Sequence, residues 1–213
     1  MPGDLYAKFA SGYDAHWTAF NARTHAQVLA RLPHDLTGKR LLDLVCGTGS
    51  LTARIIARHP AVASITGVDA SASMLRQARA RRIAATRTGQ VAWVWQRPDA
   101  LDFRPATFDI VVCVNTFHYF REPVAMLRRI RRVLRPDGLL ILEDYAKDGL
   151  LARYFEWAIR LYDPAHQRAY ALAEAEGLLP LAGWPAARYG ATFRINTLWR
   201  GWIVAVERPP AAS

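Results

Sequence analysis

Residues 40–51 read Arg-Leu-Leu-Asp-Leu-Val-Cys-Gly-Thr-Gly-Ser-Leu. The stretch begins as a short apolar run, Leu41 to Cys46, interrupted only by Asp43. It turns at Gly47-Thr48-Gly49 and enters a helical pattern at Leu51. A parallel strand buried on both faces has this composition, and the glycines mark the chain's exit from it. A strand, a Gly-rich turn and a helix N-terminus form a pocket for a polar or anionic group. Glycine lets backbone N–H groups approach a ligand, and the helix end adds partial positive charge. Such a turn can equally serve packing alone, so the residues beyond it decide the reading.

Twenty residues past Gly49 a second apolar run, Ile65-Thr66-Gly67-Val68, ends in Asp69. An acidic residue ending the second strand of a nucleotide-binding unit is placed to accept from ribose hydroxyls. Ala70-Ser71 and a helical stretch from Ser73 come next. Val91 to Gln96 reads as a third strand leading to Asp99-Ala100, and Phe108 to Asn115 as a fourth. Leu134-Arg-Pro-Asp-Gly138 reads as a turn feeding a fifth strand that ends at Glu143. Strand and helix alternate throughout residues 39–143, which predicts an α/β fold with helices on both faces of a parallel sheet. In such sheets ligands bind beyond the carboxyl ends of the strands. Asp43 to Gly49, Asp69, Asp99 and Asn115 all map to that edge.

In this order and spacing the motifs resemble those of the class I S-adenosylmethionine-dependent methyltransferases. The likeness is strongest to the small-molecule group that includes the ubiquinone and menaquinone biosynthesis enzymes. It is carried by Leu42-Asp-Leu-Val-Cys-Gly-Thr-Gly49, Gly67-Val-Asp-Ala-Ser71 with Met74-Leu75, Asp99-Ala100, Phe108-Asp-Ile-Val-Val112 with His118, and Leu134-Arg-Pro-Asp-Gly-Leu139. The resemblance implies a Rossmann-like, doubly wound seven-stranded sheet, mostly parallel with an antiparallel last strand. It also implies S-adenosyl-L-methionine as cofactor. Gly47 and Gly49 then bring backbone to its methionine part, Asp43 lies near its amino group, and Asn115 closes that end. Asp69 accepts from the ribose. Ala70 and Met74 pack on the adenine, Asp99 accepts from the adenine amino group, and the Ala100 N–H donates to a ring nitrogen.

One position departs from the pattern. The family has glycine where this chain has Val45. Valine is unstrained there if the backbone keeps β geometry with its methyls beside the cofactor, and this is the expected arrangement. At positive φ the same residue would cost roughly 1–3 kcal/mol.

A chain of 213 residues has room for one full core. The expected organisation is a single domain. Residues 1–38 form an N-terminal helical cap, 39–143 the cofactor-binding core, 144–187 a helical substrate lid, and 188–207 the terminal strands. In the cap, residues 4 to 32 read as helical, with a second helix from Thr24 to Leu32. Tyr13 belongs to the cofactor or acceptor, or equally to the core. His16 and His25 have no partner at metal-ligand spacing, and no metal is expected. In the lid, Leu150 to Leu161 reads as an aromatic-rich helix and Tyr170 to Leu179 as another. Lids of this kind in the family build the substrate pocket, and aromatics suit a small, partly hydrophobic acceptor. If the acceptor must lose a proton, His118 in Asn115-Thr-Phe-His-Tyr119 is the first candidate base and His166, with Tyr170 near it, the second.

The two cysteines, Cys46 and Cys113, read as small buried hydrophobes. No run reaches the ~18 apolar residues of a membrane span. The start lacks a basic segment followed by an apolar one, so a cytoplasmic protein is expected. The net charge of +10 admits an RNA or tRNA substrate. Against this, the arginines fall on the outer faces of two helices, and the fourth strand lacks the Asn/Asp-Pro-Pro-Tyr motif of base-amine methylation. A third reading keeps the fold without methyl transfer, its cofactor binding weakened at Val45. The acceptor atom and the oligomeric state are left open.

Overall fold

The computed structural model describes residues 4, 7, 10–81, 83, 87–147, 163 and 165–210. The predicted helix at Leu150 to Leu161 lies outside the described residues. A first helix, α1 (Tyr13–Leu29), is followed by β1 (Arg40–Leu44), α2 (Ser50–Arg58), β2 (Ser64–Asp69), α3 (Ala72–Ala80) and β3 (Val91–Trp95). Then come β4 (Phe108–Val114), α4 (Pro123–Val133), β5 (Leu134–Tyr145), a helix α5 (Leu172–Leu181), β6 (Tyr189–Arg194) and β7 (Arg200–Glu207). The strands form one seven-stranded sheet in the order β3-β2-β1-β4-β5-β7-β6. Strands β1 to β5 pair in parallel, and β7 is antiparallel to both its neighbours. The expected doubly wound sheet with an antiparallel last strand is therefore present. The order reverses between β1 and β4, and a crevice opens at such a switch point.

Side chains of a strand alternate between faces, and here both faces are covered. Leu42 and Leu44 of β1 and Leu140 and Leu142 of β5 join Leu127 and Ile130 of α4 and Leu179 of α5 in one core. Leu41, Ile110, Val112 and Ile141 face the other way, onto Val28 of α1 and Leu51 and Ile55 of α2. Burial on both faces is why these strands read as unbroken apolar runs. Each such leucine or isoleucine stabilises the fold by roughly 1.5–3 kcal/mol.

Three local features differ from the sequence reading. The N-terminal helix is a single element from Tyr13 to Leu29, not two. No proline or glycine interrupts residues 13–29, so nothing breaks it at Thr24. The Pro136-Asp137-Gly138 turn lies inside β5, where the pairing with β4 shifts between Phe108 and Ile110. Asp137 adopts φ 61°, and a Cβ on Gly138 would meet the Asp109 carbonyl at 2.9 Å; two steps along β4 are matched by five along β5, so this is a large bulge that bends the strand. Pro180 sits in the last turn of α5 rather than after it. The β6–β7 hairpin closes on Asn196, whose Oδ1 accepts the N–H groups of Leu198 and Trp199, each at 2.8 Å. No helix among the described residues is long and apolar enough to cross a membrane.

Candidate active site

The β1–α2 loop leaves the sheet at the switch point with three left-handed residues, Val45 (φ 59°), Gly47 (φ 55°) and Gly49 (φ 73°). The expectation of ordinary β geometry at Val45 is overturned. A β-branched residue at positive φ crowds its own backbone and is rare. Val45 is half-buried and packed against the α4-side core, which holds it there. Val45→Gly removes that strain, and the greater freedom of glycine in the unfolded chain offsets part of the gain. The expected result is a net stabilisation of about 1 kcal/mol, read as a higher midpoint in urea with an unchanged slope.

Around this loop lies a cavity of about 60 Å³, its walls including Asp43, Val45, Gly47 and Asn115 together with Asn21 and His25 of α1. Asp43 is 2% exposed and accepts from the Thr52 hydroxyl at 2.7 Å. Burial pushes its carboxyl up to about 6. His25 is pushed down to about 3, first by burial and then by Arg54, so it is a neutral ring at physiological pH. Asn115, at φ 55°, donates through Nδ2 to the Thr24 hydroxyl at 3.0 Å. Among the described residues, Asn115 Oδ1 and His25 Nδ1 are buried without a hydrogen-bond partner. A polar atom left so is costly, and a polar ligand would relieve it.

The carboxylate of Asp69 accepts the Gly47 and Ser71 N–H groups, both at 2.8 Å. Burial raises its pKa and these bonds partly offset the rise. It therefore ties the end of β2 to the glycine loop. Met74 is buried in the first turn of α3. Ala70 is exposed, and its carbonyl accepts from Trp95 Nε1 at 2.9 Å. Asp99 and Ala100 stand apart from the cavity, in the exposed turn Pro98–Ala100. There Arg97 chelates the Asp99 carboxylate and lowers its pKa. The structure thus brings Asp43, Val45, Gly47 and Asn115 together, joins Asp69 to Gly47, and leaves Asp99 on the rim of β3.

The glycines have a packing role that the motif alone does not show. A Cβ on Gly49 or on Gly67 would collide with the Trp93 ring. Trp93 of β3 therefore lies in a slot cut by two glycines. Over the loop, Asp14 of α1 accepts from the Thr48 hydroxyl at 2.6 Å and pairs with Arg81. Arg81 Nε also donates to the Thr48 carbonyl at 2.8 Å. Tyr13 lines the cavity, and its hydroxyl is pushed up to about 12 by burial and by Asp69, Asp14 and Asp163. Asn21, His25 and Arg81 were not legible as site residues, because spacing on a helix says nothing about which loop it covers.

Next to the cavity, the turn Phe117–Tyr119 carries His118, 6% exposed. Its Nδ1 lies 2.9 Å from both carboxylate oxygens of Asp144. Asp144, 1% exposed, also accepts the backbone N–H groups of His118 and Tyr145, each at 2.8 Å. The rings of Tyr145 and His166 lie 4.8 and 5.3 Å from that of His118. The structure brings both candidate bases into one buried cluster. Tyr170 packs instead on Phe117, at 5.3 Å. Cys46 and Cys113 are free and buried, and burial raises both thiols. Among the described residues no group of three or more His, Cys, Asp and Glu is placed to hold a metal ion.

A methyltransferase-domain family model matches residues 41–138, the segment from β1 to the β5 bulge. Over those residues the chain is similar to a methyltransferase domain. The O-methyltransferase resE of Aspergillus sclerotiorum is 31% identical over 140 residues, covering 63% of this chain and 52% of that protein. The ubiquinone/menaquinone biosynthesis C-methyltransferase of Roseobacter denitrificans is 32% identical, covering 63% of this chain and 48% of that protein. The chain thus spans about half the length of the curated relatives it matches. Among solved structures, a putative methyltransferase in complex with the Haloferax volcanii Trm112 activator superposes with TM-score 0.83 at 19% identity. It covers 98% of this chain and all of that one, a likeness of fold.

Proposed function

We propose that the protein transfers a methyl group from S-adenosyl-L-methionine to a small, partly hydrophobic acceptor. The observation that carries this reading is the cavity at the β1–β4 switch point. Asp43, Gly47, Asn115 and His25 line it, and Asn115 and His25 each carry a buried polar atom without a hydrogen-bond partner. Such a set fits the amino-acid end of the cofactor: a carboxylate for its ammonium, and N–H and amide groups for its polar atoms. When bound, the cofactor supplies the electrophilic methyl group; the protein supplies position and excludes water. Gly47, Gly49, Asp69, Ala70, Met74, Asp99 and Ala100 are proposed to hold the rest of it, with Val45 against its methionine part.

Asp14, bonded to Thr48 and paired with Arg81 over the loop, is proposed to act as a latch that holds α1 across the cavity and slows entry. Asp14→Ala is expected to raise the association rate of S-adenosylhomocysteine several-fold in stopped-flow fluorescence. An unchanged rate would mean that the latch does not control entry.

A small acceptor is favoured over RNA by the use made of the arginines. Arg79, Arg87, Arg128 and Arg132 donate to the backbone carbonyls of Trp93, Val62, Leu181, and Leu101 and Phe103. They tie α3, α4 and the segment before β3 to neighbouring loops, helix and strand. Incubation with S-adenosylmethionine and a panel of phenols, quinols, amines and thiols tests the reading. Acceptor-dependent release of S-adenosylhomocysteine is expected; release only with RNA would overturn the choice of acceptor.

A further inference from the structure

We propose that a groove at the amino-terminal edge of the sheet is a second ligand site, which takes an organic phosphate monoester with Arg31 as its anion-binding residue. The site lies at the opposite end of the strands from the cavity assigned to the methyl donor. No part of the inference depends on methyl transfer. Its place, its charge and the setting of Arg31 carry it.

The groove has a volume of about 760 Å³, within the ~300–1,000 Å³ of pockets that take small ligands. Ile110 of β4, Leu139 of β5 and Ala205 of β7 line it from one face of the sheet. Asp109 of β4 also lines it, while Val114 of the same strand lines the cavity. Five steps along a strand are roughly 16 Å. A small molecule held in the groove therefore does not reach the methyl donor, and the groove is not the acceptor's place.

The charge of the groove is unevenly spent. Arg135 pairs with Asp109 at 3.3 Å, and Arg188 pairs with Glu207. The second oxygen of Asp109 accepts the Arg40 N–H at 2.8 Å. Arg31 and Lys39 also line the groove, both on the connection from α1 to β1. Neither has a carboxylate partner among the described residues. Asp137 opposes them, but Arg40 and Arg208 stand next in the chain to Lys39 and Glu207. Positive charge is in excess at this edge, and an anion is what it attracts.

Arg31 is held ready. Its guanidinium lies 4.0 Å above the Tyr189 ring, and one N–H donates to the Tyr189 hydroxyl. Stacking of this kind fixes the planar fork. Its Nε is buried without a hydrogen-bond partner among the described residues, and a buried donor left so is costly. A guanidinium fork offers parallel N–H groups to phosphate oxygens. A phosphate monoester carries nearly two negative charges above pH 7, which suits an edge with several cations. The partly exposed Tyr189 ring and the apolar strand residues suit the body of the ester.

The probe is phenyl phosphate, titrated calorimetrically into the whole chain at pH 8 and low salt. One molecule per chain is expected to bind, more weakly as salt is added. Saturation with S-adenosylhomocysteine is expected to leave the affinity unchanged. Inorganic phosphate is expected to bind about tenfold more weakly, because it buries no apolar surface. Arg31→Gln is expected to weaken phenyl phosphate by about 10–100-fold, and Lys39→Gln by several-fold. Asp137→Asn removes an opposing charge, and asparagine tolerates the positive φ of that position. It is expected to tighten binding several-fold, a gain that misfolding cannot produce. Unchanged affinity in both Arg31→Gln and Asp137→Asn would overturn the site. So would displacement of the probe by S-adenosylhomocysteine, which would place it in the cavity, or no heat from wild type at millimolar probe. Equal affinity for inorganic phosphate would overturn the ligand class.

Discussion

Gly49→Ala is expected to destabilise the protein by about 3–5 kcal/mol, summing the overpacking and backbone terms. Two causes add. The residue has φ 73°, which an alanine adopts only at a cost. Its new Cβ would also collide with the Trp93 ring, inside any real contact distance. A loss of that size is a large part of the ~5–15 kcal/mol that holds a domain together. Trp93→Ala alone opens a void and is also expected to destabilise, by about 3–5 kcal/mol. In the double variant the clash has no partner, so the combined loss is expected to fall below the sum of the two. Urea unfolding of all four proteins measures this. Strict additivity would show that Gly49 and Trp93 do not meet.

Asp43→Asn is expected to weaken S-adenosylhomocysteine binding by about 10–100-fold, the worth of a hydrogen bond to a charged group, while stabilising the unliganded fold. The sign comes from the carboxyl being raised to about 6 in the folded chain, against ~3.9 in the unfolded one. The folded state then binds the proton more tightly, so this group favours folding below pH ~4 and progressively opposes it up to pH 6. Ionised Asp43 costs the fold about 3 kcal/mol above pH 6. Asparagine keeps an acceptor for Thr52 and carries no charge. Its stability advantage is expected to be absent near pH 4 and full above pH 6, which thermal unfolding across that range reads. A ligand ammonium would draw the proton off Asp43, so wild-type affinity is expected to rise with pH through 6. Equal affinity and equal stability of the two proteins would remove Asp43 from the site.

The sheet was legible because its chemistry repeats. Leu41 to Leu44 apart from Asp43, Ile110 to Val114 and Leu139 to Leu142 are apolar on both faces, which parallel strands between two helix layers require. Gly47, Gly49 and Asp69 were legible because loop, helix start and acidic strand end occur in fixed order. The conformation of Val45 was not, since one side chain is compatible with either sign of φ until the loop around it is built. Asp144 was hidden beside Glu143. Both are acidic and both end β5, and only the alternation of the strand separates them. It sends Asp144 to His118 and buries Glu143, whose carboxyl is pushed well above its usual range. The resemblance implied that the N-terminal helical segment caps the site, but not which of its residues touch the loop, so the Asp14 contact 34 residues away at Thr48 and the place of His25 in the cavity wall came from the structure. The slot for Trp93 was invisible for the same reason, because Gly49, Gly67 and Trp93 sit on three separate elements.

The most direct test of the cofactor site is calorimetric titration of wild type and Val45→Gly with S-adenosylhomocysteine, at pH 5 and at pH 8. The site described predicts one ligand per chain with micromolar affinity, tighter at pH 8, and binding by Val45→Gly at least as tight as by wild type. Absence of binding by both proteins at both pH values would contradict it.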